Sequence, residues 1–238
     1  MIQGLYTAVS GMAAHQTRID ILANNLANVD TPGFKAEMIT IDQSVMPESL
    51  WRDILAPLST VEAGRAGVNL APGALKSTGS PLDLAIVGPG LFVVQTPQGE
   101  RYTRAGNFVR DSEGFLATQD GFRVLGTGGP VPVPEAGFRV DEAGGLPDGG
   151  TLRFVGSGTF QSLVKVGGTL FASAENTPAP AAATDVRIVQ GQLEGSNVNV
   201  VMNMVEMLAT TRTYEAYQRT IQALDQTVGQ AANDLGRA

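Results

Sequence analysis

Apolar residues recur at a 3-then-4 spacing at both ends of this chain, and that rhythm limits what it can fold into more than any other feature. Near the start they fall at Ile2, Leu5, Val9, Met12, Ile19, Ala23 and Leu26, and Gln16 is the one polar interruption. Near the end the positions are Val200, Asn203, Met207, Thr210, Tyr214, Tyr217, Ile221, Leu224, Val228, Ala231 and Leu235. A stripe of this period is one face of an amphipathic helix, and a long one needs a partner. At about 1.5 Å per residue the two helices would be roughly 37 Å and 55 Å long. Nothing between them has helical periodicity long enough to cover either stripe. The ends are therefore expected to pair with each other as a coiled coil, and then with neighbouring molecules.

Local signals bound both helices. Pro32 disfavours helical geometry at Thr31, so the first helix should stop near Asn28. Thr31-Pro32-Gly33-Phe34 suits a type II turn, with Pro presetting φ and Gly taking the positive-φ position. Ser196, Asn197 and Asn199 offer N-cap side chains ahead of the second helix. Within it, Glu215 and Arg219 sit four apart in the favourable order.

From Gly79 the period changes to two. Leu82, Leu84 and Ile86 alternate with Asp83 and Ala85, a short apolar run follows at 91–94, and further short strand candidates lie at 101–104, 107–110, 115–118 and 122–125. Turn chemistry separates them at 96–99, 111–114 and 119–121, and Gly88-Pro89-Gly90 reads as a hairpin turn. Further strands are expected at 151–155, 160–166, 169–174 and 186–189. Residues 126–151, rich in Gly and Pro, read as loop. The predicted class is α+β: a central all-β domain, a meander or small barrel, flanked by the terminal helices. The expected divisions are 1–36 for the first helix and its turn, 37–78 for an extended connection, 79–194 for the β domain and 195–238 for the second helix. Inside the connection, Ile39 and Ile41 suggest a brief strand, and Leu50, Trp51, Ile54, Leu55 and Leu58 a short helix.

The chain is poor in the groups that chemistry needs. Its net charge of −7 opposes nucleic acid and anionic membrane surfaces. With no cysteine it has neither disulfides nor thiolate metal sites. The start has no basic n-region or continuous apolar core, so it is not read as a signal peptide. His15 is the single histidine, and inside a helix it reads as a surface or packing residue. Asp111-Ser112-Glu113-Gly114 and Asp141-Glu142-Ala143-Gly144-Gly145 lack the alternating acidic spacing of a calcium loop and read as turns. No catalytic residue, metal, cofactor or small-molecule substrate is expected. Asn24, Asn25 and Asn28 are poor helix formers. They either cap a fraying helix end or hydrogen-bond across a crowded interface.

Ser10-Gly11-Met12, followed by Asn24-Asn25-Leu26-Ala27-Asn28-Val29-Asp30-Thr31-Pro32-Gly33-Phe34-Lys35, resembles the N-terminal signature of bacterial flagellar axial proteins. The usual pattern has Asn where this chain has Asp30. Thr103-Arg104-Ala105-Gly106-Asn107-Phe108 is similar to the core β region of that family. Asn197-Val198-Asn199-Val200 and Arg212-Thr213-Tyr214-Glu215 are similar to its C-terminal signature. Within the family, the compact length and the stretch 71–86 look most like proximal-rod members, with distal-rod and hook-type members as alternatives. The resemblance implies a structural subunit of the basal-body rod, exported without a cleaved signal by the flagellar export apparatus. It would assemble with itself and other axial proteins into a helical drive shaft. The residues expected at that interface are Leu5, Val9, Met12, Ile19, Leu22, Asn24, Asn25, Leu26, Asn28, Pro32, Gly33, Phe34, Asn197, Asn199, Met207, Tyr214, Tyr217, Ile221, Leu224 and Val228. Two rivals are an enzyme or carbohydrate-binding β domain with helical dimerisation arms, and an adhesin-type fibre subunit.

Overall fold

A computed structural model describes residues 2–45, 59–135, 137–156, 163–173 and 186–235. The helix expected at 50–58, and the parts of two expected strands at 160–162 and 174, lie outside these residues. The fold is α+β, with a helix at each end and antiparallel strands between. It divides into two compact units, the first comprising residues 1–27, 37–69 and 198–238, and the second 28–36 and 70–197.

The first unit holds α1 (Ile2–Ala27) and α2 (Val200–Leu235), which pack together. It also holds β1 (Glu37–Val45) and β2 (Ser59–Val68), an antiparallel pair that packs on α1. The extended connection is therefore a paired ribbon. Asn199 caps α2: its Oδ1 accepts from Met202 N–H at 3.0 Å, which satisfies one of the free donors of the first turn.

The second unit is built around β5 (Gly90–Thr96), whose Leu91, Phe92, Val93 and Val94 are all buried. A continuous apolar run of this kind is what a strand covered on both faces requires. β6 (Gly99–Thr103) pairs along one edge of β5; β9 (Arg123–Gly126) and β11 (Phe154–Gly156) pair along the other. β7 (Val109–Arg110), β8 (Leu116–Ala117) and β10 (Gly129–Pro130) complete a meander with β9. β10 lies in a stretch read as loop. Beyond β6 come β13 (Leu170–Ser173) and β12 (Leu163–Gly167). Among the described residues this sheet does not close into a barrel; β12 and β7 are its ends.

One expected hairpin is absent. β4 (Leu84–Val87) does not pair with β5 across Gly88-Pro89-Gly90; it pairs with β14 (Arg187–Gln190) in a sheet of its own. The Gly88 and Gly90 carbonyls instead accept hydrogen bonds from Arg104 Nη1. β15 (Gln192–Glu194) pairs with β3 (Leu75–Ser77) in the same way.

The acidic loops are turns. Asp111 Oδ1 accepts from Glu113 and Phe115 N–H, its Oδ2 from Arg123, and Gly114 supplies the positive φ. Asp141 Oδ1 accepts from Ala143 and Gly145 N–H in the same pattern. These are Asx turns in which the carboxylate replaces a backbone acceptor.

Candidate assembly interface

The helix pair in the first unit is antiparallel. Arg18 lies against Glu206 as an ion pair, whereas Gly11 and His15 lie against Tyr217. On α2 the expected stripe is the covered one. Val200, Asn203, Met207, Tyr214, Tyr217, Ile221 and Leu224 are half-buried and Thr210 is buried, while most positions between them are exposed.

On α1 the covered stripe is set one residue earlier than expected. Ala8, Gly11, His15, Arg18, Leu22 and Asn25 are buried or half-buried at the same 3-then-4 spacing, and Ala14 is buried beside them. Val9 is 44 % exposed, and Gln16 and Ala23 are exposed as well. Met12, Ile19 and Leu26 flank the contact half-buried. At Gly11 the cause is size: α2 presents Tyr217 there, and the backbone of α1 comes close to that ring only where it carries no side chain.

A Cβ at Gly11 would come within 2.9 Å of Tyr217 Cε1 and Cζ. His15 stacks on the same ring, centroids 5.5 Å apart, and burial, aided by the Arg18 charge, lowers its pKa below 6.5. Gly11→Val is expected to destabilise the helix pair by about 1–3 kcal/mol through overpacking. Replacing a helical Gly should by itself help by up to about 1 kcal/mol. The same substitution in a Tyr217→Ala background should therefore lose most of its cost. Thermal melts followed by circular dichroism across this double-mutant cycle read the sign.

The Asn cluster is largely spent within the chain. Asn25, 2 % exposed, donates to the Glu37 carbonyl and accepts from the Glu37 N–H, both at 2.8 Å. It thus docks β1 against the end of α1 as a strand partner would. Asn24 donates to the Glu37 carboxylate, and Asn28 accepts from the Thr31 hydroxyl.

In the second unit the signature turn forms as expected. Gly33 has φ of 68°, and Phe34 N–H donates to the Thr31 carbonyl at 3.3 Å. Beside it lies a buried ionic cluster that sequence reasoning missed. The Glu194 carboxylate accepts from Lys35 Nζ at 2.6 Å, Arg104 Nε at 2.5 Å and Gly73 N–H at 2.8 Å. Lys35 also donates to the Ala71 carbonyl, and Arg104 to the carbonyls of Ile86, Gly88 and Gly90. Burial would raise the Glu194 pKa, but Lys35, Arg104 and Gly73 hold it below the usual carboxylate range. Asn197 closes the cluster on one side, accepting from Ala36 N–H and donating to Ala71 O.

The two basic residues sit inside recognisable motifs, Phe34-Lys35 and Thr103-Arg104, so the available signal was two isolated cations lacking an anion. The rest of the 103–108 motif has work of its own. Ala105 lies against Gly33, Gly106 lies where a Cβ would strike the Leu84 carbonyl, and Phe108 packs edge-on against Phe92 at 5.0 Å. A cleft of about 300 Å³ beside the cluster is lined by Leu70, Pro72, Pro89, Leu91 and the two cations. Among the described residues no group of three His, Cys, Asp or Glu side chains could hold a metal ion.

Three family models match the segments that build these features. Residues 5–35 match the flagella basal body rod protein model, 85–147 the flagellar hook protein FlgE/F/G D1 domain, and 189–235 the flagellar basal body rod FlgEFG protein C-terminal model. The flagellar basal-body rod protein FlgF of Caulobacter vibrioides is 34 % identical over 100 % of this chain and 99 % of its own. The chain belongs to the flagellar basal-body rod protein family. FlgF of Salmonella typhimurium is 34 % identical over 97 % of both chains, and FlgG of Bacillus subtilis 31 % over 98 % of this chain and 99 % of its own. Rod proteins of both names therefore align along the whole length. Among the described residues no helix is long and apolar enough to cross a membrane.

Proposed function

We propose that this chain is a structural, non-catalytic subunit of the flagellar basal-body rod, which joins other axial proteins through its terminal helices. End-to-end similarity to basal-body rod proteins carries this reading. The helix pair supports it further: on both α1 and α2 the covered positions follow the 3-then-4 spacing of a coiled-coil seam. The interface residues expected from sequence take different parts. Met207, Tyr214, Tyr217, Ile221, Leu224 and Leu22 serve the helix pair within one chain and Asn25 holds β1 on the end of α1, whereas Val9 and Val228 stay open for a neighbour. The side chain of Leu5 lies outside the described residues. Gly33, Phe34 and Asn197 hold the turn and the Glu194 cluster on which assembly depends. Passage through the flagellar export apparatus, without a cleaved signal, is part of the same proposal.

The test is deletion of the gene with complementation, read by motility and by mass spectrometry of purified basal bodies. Loss of motility restored by the wild-type chain, with the chain present in basal bodies, is the expected result. Normal flagella in the deletion strain, or a chain absent from basal bodies, overturns the proposal.

A further inference from the structure

We infer that the cleft beside the Glu194 cluster is a receptor for a small monocarboxylate: one ionised carboxylate carried on a short apolar body. All of its walls belong to the second unit.

Charge is the first observation. Lys35 and Arg104, 2 % and 6 % exposed, are both ion-paired to a single carboxylate, that of Glu194. Two cations against one anion leave the cluster one positive charge in excess. The carbonyls of Ala71, Ile86, Gly88 and Gly90 accept from the two cations, yet as dipoles they disperse that charge without cancelling it. An unbalanced buried charge is costly, and a second anion removes the cost. Burial pushes the Lys35 ammonium below the usual lysine value; Glu194 opposes the shift without reversing it, and Arg104 adds to it.

Hydrogen-bond donors are the second. A lysine has three N–H donors and an arginine five. Lys35 gives one to Glu194 and one to Ala71, and Arg104 gives four, to Glu194, Ile86, Gly88 and Gly90. Among the described residues one N–H on each cation is left over, and both cations line the cleft. Two charged donors side by side suit the two oxygens of one carboxylate.

Shape is the third. The remaining side chains of the lining, Leu70, Pro72, Pro89 and Leu91, are apolar, and the volume is about 300 Å³. That is the small end of the range of ligand pockets, so the body has room for only a few carbons. A phosphate carries more than one charge and spreads its acceptors in three directions, which two donors and apolar walls do not match.

The experiment titrates hexanoate into the full-length chain by calorimetry, with hexan-1-ol and inorganic phosphate as the comparison probes. The expected result is saturable one-to-one binding of hexanoate with a Kd of about 1 mM or tighter, and binding at least tenfold weaker for the other two. Lys35→Met leaves Arg104 and Glu194 as a neutral pair. It should weaken hexanoate at least tenfold and leave hexan-1-ol unchanged. Pro89→Trp, at an exposed position on the rim, should keep the wild-type circular dichroism spectrum and abolish hexanoate binding by filling the cleft. Equal binding of hexan-1-ol would mark a plain apolar slot, and equal binding of phosphate a general anion site; either overturns the inference. A wild-type chain that takes up no hexanoate overturns it too, as does binding that survives Pro89→Trp or a folded Lys35→Met. If Lys35→Met does not fold, Pro89→Trp and the wild-type preference for hexanoate over hexan-1-ol decide.

Discussion

Gly33→Val is expected to abolish assembly and to destabilise the second unit by at least about 3 kcal/mol. Two independent costs set that size. Gly33 has φ of 68°, where a β-branched residue carries strain of about 1–3 kcal/mol. A Cβ there would also overlap the backbone of Arg104 and Ala105, which has no flexible side chain to move aside. Relief requires residues 31–36 to lift away, which would take Lys35 from Glu194 and break the Gly33 N–H to Glu194 carbonyl bond of 2.7 Å. Gly33→Ala should already cost most of the overlap term. Urea unfolding of the second unit, followed by amide exchange at Leu91–Val94, measures the loss beside a motility assay. Stability within 1 kcal/mol of wild type would show that the turn is not packed as described. His15→Gln is the contrasting case: it removes a half-buried ring stacked on Tyr217 and should leave motility close to wild type.

Glu194→Gln should be nearly as damaging, for an electrostatic reason. It removes the one anion between two buried cations, and breaking a buried pair by deleting one partner costs about 3–5 kcal/mol. Arg104→Lys would not be a mild change either. A lysine ammonium cannot reach Glu194 and the three carbonyls of Ile86, Gly88 and Gly90 with the fixed fork of a guanidinium. The pH dependence follows from the lowered Glu194 pKa. A carboxylate whose pKa is depressed by folding contributes stability that is complete above its unfolded value, near 4.5, and is lost as pH falls through its folded value. Wild-type urea midpoints should therefore fall as pH drops below about 4.5, and the Glu194→Gln midpoint should show a shallower decline over the same range. Parallel curves for the two proteins would mean that Glu194 is not the titrating group.

Sequence by itself determined both helices, the end of the first near Asn28, the covered stripe of α2, the positive φ of Gly33 and most strands of the second unit. Each of these is local. A period of 3.6 or 2, a Pro-Gly pair or a capping Asn acts through residues within one or two turns of itself, so it can be read without knowing the fold. Tertiary structure alone decided three things. The covered stripe of α1 runs through Ala8, Gly11 and His15 instead of Val9, Met12 and Gln16. Adjacent positions on a helix share the same period, and at Gly11 the bulk of Tyr217 on the facing helix selects between them. The expected hairpin at Gly88-Pro89-Gly90 gave way because Arg104 claims its carbonyls, and Val189 and Ile188 of β14 supply a partner for β4 a hundred residues away. The Glu194 cluster joins Lys35, Gly73 and Arg104 from distant parts of the chain. Each of its charges, read alone, is an ordinary surface residue, and burial becomes affordable only when all three meet.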